Sequence, residues 1–440
     1  MRCTRNRNLI FVFLFFFCVG KEGYAQGDTE FVKRCASYEL DQFRARRNPD
    51  WLRKRSQLDS LVLEYTRDRA NRRIGAYELI RIPVVVHVVH AGSNSSIGGV
   101  NNPNISDQQI RSQIEVLNED FRRIVGTPGF NTNPVGADAF IEFYLADTDP
   151  TGAPTYGITR NSYPQKTTFD PYSDDLLLAN IVSWPTDKYL NIWTCRLSAS
   201  NLAIAQFPAT DKVEGLDTSS EPFAATDGVI VDFRYLGRRT GAITSRIYNL
   251  GRTTTHEVGH WLGLIHTWGD TYCGTDYCPD TPTAEGSNQT TVCNPRFSNC
   301  FGIRTLNMIE NYMDYSPDSC MNVFTADQVA RMRAVLALSP RRARLVEFSK
   351  QGNLEPADNL TINLYPNPAV KELYLEARFP DFQDLTYTIY NLAGQVVDTR
   401  NFSQIFSRRF TFDVSVLPPG MYFMKVEANR ESKVQRFVVN

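Results

Sequence analysis

His256-Glu257-Val258-Gly259-His260-Trp261-Leu262-Gly263-Leu264-Ile265-His266 is the stretch from which the rest of the chain is read. On a helix, His256 and His260 lie one turn apart on one face, so both imidazoles reach the same point. Glu257 sits beside that face. Gly263 lets the chain leave the helix in a conformation that a side chain would resist, and the turn returns His266 as a third nitrogen ligand. Three protein ligands with a fourth position open is the arrangement of a catalytic zinc. Zinc held this way brings its water towards a pKa of about 7, and Glu257 is placed to take the proton as general base. A helix that merely happens to carry histidines is the competing reading. The chain has five His in all, and three of them fall in these eleven residues.

About fifty residues on stands Asn311-Tyr312-Met313-Asp314-Tyr315. An extended zinc motif followed by a methionine-bearing turn resembles the metzincin metalloproteases. Asn249-Leu250-Gly251-Arg252-Thr253-Thr254-Thr255 entering the zinc helix, Asp280-Thr281-Pro282 and Cys320 narrow the resemblance to the pappalysin family, over roughly residues 77 to 345. The resemblance implies a zinc endopeptidase acting on proteins or peptides. Met313 would form an apolar floor under the histidines, and Tyr315 would stabilise the oxyanion. It also implies disulfides Cys273–Cys300 and Cys293–Cys320, with the extra Cys278 as a possible replacement for Cys273 or a partner for Cys195. Bacterial members cut before Arg or Lys, using an acid just before the cysteine that follows the methionine turn. Here that position is Ser319, with Asp318 one step earlier. Zymogens of these members imply that Cys35, at Lys33-Arg34-Cys35-Ala36, occupies the fourth zinc position in a latent form, with Lys33 and Arg34 favouring the thiolate. A disulfide from Cys35 to Cys195 or Cys278 is the alternative.

At 440 residues the chain has room for two or three domains. A formal net charge of −1 gives no basic excess pointing to nucleic acid or an anionic membrane surface. Arg2, Arg5 and Arg7, the apolar run 9–19 and Gly23-Tyr24-Ala25 read as a signal peptide cut after Ala25. No later stretch is long and apolar enough to span a bilayer, so the expected product is secreted or attached to the cell surface by way of the periplasm. Seven of nine Cys follow residue 25, which fits an oxidising compartment and leaves at least one thiol unpaired.

Residues 26–75 are Arg-rich, with Trp51, Leu58, Leu61, Val62 and Tyr65 along one side of a helix, and read as a removable pro-segment. The catalytic domain spans 76–350. Its strands are predicted at Ile82–Val89, Phe140–Ala146, Tyr189–Leu197 and Gly228–Phe233, with a helix capped by Ser106 and another capped by Thr325. His87 and His90 read as structural. In the long loop from Cys273 to Asn307, Asp276, Asp280, Thr281 and Glu285 are candidate calcium ligands, a reading the family supports. After a linker, 351–360, residues 361–440 show alternating strands and Pro/Gly turns, the pattern of a small β-sandwich. Leu364-Tyr365-Pro366-Asn367-Pro368, the run from Ile389 to Gln395 and Gly420-Met421-Tyr422 resemble the type IX secretion sorting domain of Bacteroidetes, implying a partner in the outer-membrane secretion machinery. The expected class is α+β: a metzincin domain with a mixed twisted sheet, zinc helix and backing helix, then an all-β sandwich. The alternative function is a catalytically silent surface-binding protein that keeps zinc as a structural element. An intact Glu257 argues against it, since binding has no need of a base.

Overall fold

The β-branched run around Val84-Val85-Val86 has side chains that pack well on a pleated surface, and it forms the longest strand of the catalytic sheet. The computed structural model describes residues 34–72, 77–153, 155–198, 201–210, 223–350, 359–379, 383–405, 408–428 and 431–440. The signal-peptide expectation and Lys33 lie outside these residues, as does most of the expected linker.

Two helices come first, α1 (Ser37–Arg47) and α2 (Pro49–Arg72). Then follow β1 (Ile80–His90), α3 (Asp107–Phe121), β2 (Ile141–Leu145), β3 (Ile158–Ser162), α4 (Asp175–Ile181), β4 (Leu190–Cys195), β5 (Ala203–Ala205), β6 (Gly228–Asp232) and α5 (Arg252–Trp261). A short hairpin, β7 (Phe297–Cys300) and β8 (Ile303–Leu306), precedes α6 (Ala326–Leu338) and α7 (Pro340–Lys350).

The sheet order is β2-β1-β4-β6-β5, and β3 also pairs with β1, beyond the end of β2. All these pairings are parallel except β5 on β6. The antiparallel β5 ends the sheet order and is an edge. Apolar faces of β1, β2 and β4 meet Ile110, Ile114, Leu117 and Phe121 of α3 in the main core, which also takes in Val258 and Leu262 of the zinc helix and Met313. Ser106 caps α3 by accepting from the Gln109 amide at 3.2 Å, and Thr325 and Gln328 form a reciprocal capping box on α6.

The N-terminal segment lies against this body. Leu58 and Val62 of α2 share a buried cluster with Ala334 and Val335 of α6, and Asp59 pairs with Arg331. Trp51 is buried as the pattern predicts, whereas Leu61 is partly covered and Tyr65 is 36% exposed, so the apolar side of α2 is narrower than its sequence suggests.

Strands β9 (Thr361–Tyr365), β10 (Glu372–Arg378), β11 (Gln383–Asn391), β12 (Val396–Ile405), β13 (Arg408–Asp413), β14 (Gly420–Ala428) and β15 (Glu431–Val439) make two antiparallel sheets, β13-β10-β9 and β12-β11-β14-β15. They enclose their own core, including Leu375, Tyr387, Phe412, Met424 and Phe437. Arg408 leaves this sandwich to pair with the buried Asp147 at 2.9 Å and to donate to the Tyr144 hydroxyl at 2.8 Å. No helix among the described residues is long and apolar enough to cross a membrane.

Candidate active site

The zinc-motif helix, α5, starts behind Gly251, whose φ of 80° suits glycine, and ends at Trp261. Its interior contact with the methionine turn also needs glycine: a Cβ on Gly259 would stand 2.5 Å from the Met313 sulfur. Gly263 has φ +87°, and a Cβ there would also collide with Val335. Through this turn His266 arrives opposite His256 and His260. The three Nε2 atoms are 3.1 to 3.2 Å from one another.

Each Nδ1 faces an acceptor: the Tyr312 carbonyl at 2.7 Å for His256, the Leu264 carbonyl at 2.8 Å for His260, and the Asp270 carboxylate for His266. The ring protons therefore sit on Nδ1. Three bare Nε2 lone pairs then point at one centre, which is repulsive unless a cation lies between them. Zn–N bonds of about 2.0–2.1 Å in a tetrahedron give N···N edges of roughly 3.3 Å, close to what is present. Cys35 Sγ completes a group of four buried ligand atoms within 4.8 Å of one another, and among the described residues this is the one His/Cys/Asp/Glu group so placed. The donor set fits zinc.

Electrostatics point the same way. Burial first, then the neighbouring imidazoles, hold His256 and His260 well below the usual histidine range, so both are neutral. Burial and then the charge of Glu257 push the Cys35 thiol well up. A cation at the imidazole centre is what would reverse this. The expectation that Arg34 favours the thiolate is corrected: its guanidinium is bound to Asp318, 3.3 Å away, and not to the sulfur.

Burial pushes the Glu257 carboxyl up to about 7, against the lowering effect of Ser37, whose hydroxyl donates to Oε2 at 2.6 Å. Cys35 Sγ lies 3.5 Å from the same oxygen, while Oε1 has no partner. Ser37 also accepts from the Ala205 amide at 2.7 Å, and the Ala36 amide donates to the Ala203 carbonyl at 3.2 Å, so the segment rides on the β5 edge. Tyr315 packs against His256 and His266, and its hydroxyl donates to the Cys35 carbonyl at 3.4 Å.

Several supporting residues were not anticipated from the sequence. Asp120 of α3 pairs with Arg252 at 3.0 Å and accepts from Thr255 at 2.7 Å, tying the backing helix to the start of α5. Asp227 accepts from Trp261 at 3.1 Å and is gripped by both terminal nitrogens of Arg342, at 2.6 and 2.8 Å. Trp268 stacks on His266, and Asp270 orients that ring. Asp270 is four residues past the third histidine, and a carboxylate on the second nitrogen of a ligand imidazole fixes its tautomer and orientation. Asp270→Asn is expected to weaken zinc binding by about 10–100-fold, measured by chelator competition. Unchanged affinity would remove its orienting role.

Asp318 is buried. Its Oδ2 accepts from the Leu250 and Arg252 amides at 2.9 and 3.2 Å, and its Oδ1 faces Arg34. Ser319, the position expected at the pocket base, is exposed and lies near Cys293. The buried acid here is Asp318, one residue before Ser319. Cys273 is bonded to Cys300 and Cys293 to Cys320. Cys35, Cys195 and Cys278 are free and buried, so neither the Cys278 alternatives nor the Cys35 bridge is formed. The calcium candidates do not converge. Thr281 donates to Asp276 at 2.8 Å, Asp280 accepts from the Asp327 amide at the start of α6, and Glu285 accepts from Tyr272. His87 is a core residue, bonded to Thr159 and Asn191 at 2.8 Å each.

Comparison with known proteins places this geometry. Residues 173–337 match the peptidase family described as pregnancy-associated plasma protein-A, and residues 363–440 match the secretion system C-terminal sorting domain. An extracellular metalloprotease of Verticillium alfalfae is 31% identical over 62% of this chain and 82% of its own length. Extracellular metalloprotease 1 of Coccidioides posadasii is 32% identical over 59% of this chain and 80% of its own. Among solved structures, a Tannerella forsythia promirolysin variant is 36% identical, covers 72% of this chain and 97% of its own, and superposes with a TM-score of 0.59. Mature mirolysin of the same organism, in complex with a cleaved peptide, is 40% identical over 62% and 98%, with a TM-score of 0.53.

Proposed function

The chain belongs to the pregnancy-associated plasma protein-A family of zinc metalloproteases, and from that premise we propose a secreted endopeptidase, made latent, that cuts before Arg or Lys with Glu257 as general base. The extracellular relatives and the sorting tail support a place outside the cell, in solution or on the surface. The leader 1–25 and the removable segment 26–75 belong to this reading, as does an interaction of the sandwich with secretion machinery.

The observation that carries it is the pair Arg34-Cys35. While Cys35 faces the imidazole centre, Arg34 is wholly buried beside it. Its guanidinium meets Asp318, the Ser316 carbonyl and the Met321 sulfur, and lies over the Tyr248 ring. A pocket of this kind, one side chain away from the metal, suits the cationic residue next to a scissile bond. Arg34 precedes the metal-facing residue, whereas the side chain after a scissile bond follows the carbonyl being attacked. The segment therefore crosses the cleft in the opposite direction to a substrate and offers no peptide bond in register for attack.

Zinc in this site would supply Lewis acidity to a carbonyl and acidify water. The chain's own groups account for the remaining chemistry. With the segment gone, Glu257 loses Ser37 and Cys35, and its carboxylate is freed to take a proton from water and return it to the leaving amine. Tyr315, which donates to the Cys35 carbonyl in the latent form, is placed to donate to the oxyanion of a substrate. The β5 edge, with the Ala203 carbonyl and the Ala205 amide, would pair with the substrate backbone.

A peptide library digested by the processed enzyme tests the specificity. Cleavage is expected before Arg and Lys. Asp318→Asn is expected to lower kcat/KM for these sites by about 10–100-fold, the worth of a hydrogen bond to a charged group. Preference for apolar residues at that position would overturn the assignment of Asp318.

A further inference from the structure

Arg44 of α1 is a second guanidinium from the segment that is sealed in the cleft wall, 3% exposed. It donates to Gln206 Oε1 at 2.6 Å, to Asp175 Oδ2 at 2.6 Å and to Thr226 Oγ1 at 3.0 Å, with the Phe223 ring 4.3 Å from its carbon. Three acceptors from three separate parts of the catalytic domain converge here. The array is set in advance: Gln206 Nε2 donates to the Phe223 carbonyl at 3.1 Å, which turns Oε1 towards the cation, and Thr226 supports that same oxygen at 3.0 Å. When the segment leaves, a carboxylate, an amide oxygen, a hydroxyl and an aromatic face remain, an environment that suits a guanidinium or ammonium group.

We propose that this socket is a second specificity subsite, which takes an Arg or Lys of the substrate on the amino-terminal side of the scissile bond. The proposal rests on the reading of the Asp318 pocket as the site for the residue after that bond. If Arg34 marks that side and the segment runs in reverse, the residues following Cys35 overlie the opposite side. From Ser37 to Arg44 the helix advances about 10 Å, at roughly 1.5 Å per residue. An extended substrate covers that in about three residues, at roughly 3.3 Å each. The basic residue is thus expected three to five positions before the cut. Substrates would be recognised by two cations spaced across the bond.

The test uses the full chain after its own processing and peptides with Arg after the scissile bond. Each carries either Arg or its neutral isostere citrulline at one of the three positions. At one position the Arg peptide should have a kcat/KM about tenfold or more above its citrulline partner. The ratio should fall to about 1 in Asp175→Asn, and the ratio, not the absolute rate, is the readout. A ratio near 1 at every position in the parent, with cleavage still occurring before Arg, overturns the subsite and leaves the Asp318 reading standing. A ratio unaltered by Asp175→Asn overturns the socket. If no peptide is cut, the protease reading fails, and the same ratios are read as Kd from polarisation of the labelled peptides, where equal binding overturns the proposal.

Discussion

Glu257→Ala in the processed enzyme is expected to lower kcat/KM by about two to four orders of magnitude, the range for a positioned general base, while the protein keeps its zinc. The two halves of this expectation have different sources. Metal retention follows from the donor set: Glu257 lies beside the four converging ligand atoms and is not one of them. Loss of rate follows from the carboxylate itself, which is buried beside the three histidines with one oxygen unpaired and the other 3.5 Å from the Cys35 sulfur. Cleavage assays paired with metal analysis separate the two. Stoichiometric zinc with near-normal cleavage would remove Glu257 as the base. Loss of zinc together with rate would mean that the carboxylate holds the site together instead.

Replacing Cys35 by alanine in the precursor should release latency. A structural zinc with four ligands contributes about 10–16 kcal/mol in small domains. One ligand's share is then on the order of 3 kcal/mol, enough to raise the population of the opened segment more than tenfold. Self-processing should begin earlier than in the parent, or the precursor should accumulate poorly. X-ray absorption supplies an independent readout: the parent precursor should show sulfur at about 2.3 Å from zinc, and the processed enzyme should not. Arg34 and Arg44 remain in their sockets in the alanine variant, so release should be accelerated, not immediate. A variant as latent as the parent, or a precursor without zinc–sulfur contact, rules out Cys35 as the switch.

The parts of this molecule that were legible in its sequence are those encoded at short range. His256 and His260 are one helical turn apart, and His266 follows through a glycine turn, so their convergence needs no knowledge of the fold. β1 is a nearly continuous β-branched run, and Ser106 and Thr325 announce their helices. Other elements carry weak local signals. β3 is Ile-Thr-Arg-Asn-Ser, half-covered on an edge, and α4 is seven residues long. The supporting shell was hidden for a different reason: Asp120 meets Arg252, and Asp227 meets Arg342, across more than a hundred residues each. Arg34 was misassigned because adjacency to Cys35 suggested an effect on the thiol. In space its guanidinium meets Asp318, a partner far along the chain that adjacency could not reveal.

Leu58 and Val62 of α2 fill part of a cluster whose other members, Ala334 and Val335, lie on α6. Each such side chain contributes about 1.5–3 kcal/mol when fully buried, and these two depart with the segment. The active molecule is thus expected to be the less stable of the two folded states. Activation then acts as a ratchet: hydrolysis of the chain drives it, and the excised piece returns only as a separate molecule that must give up its translational freedom to rebind. Dilution outside the cell keeps that return improbable. Loss of the helix that helps complete the fold at the start is then expected to shorten the working life of the enzyme it releases.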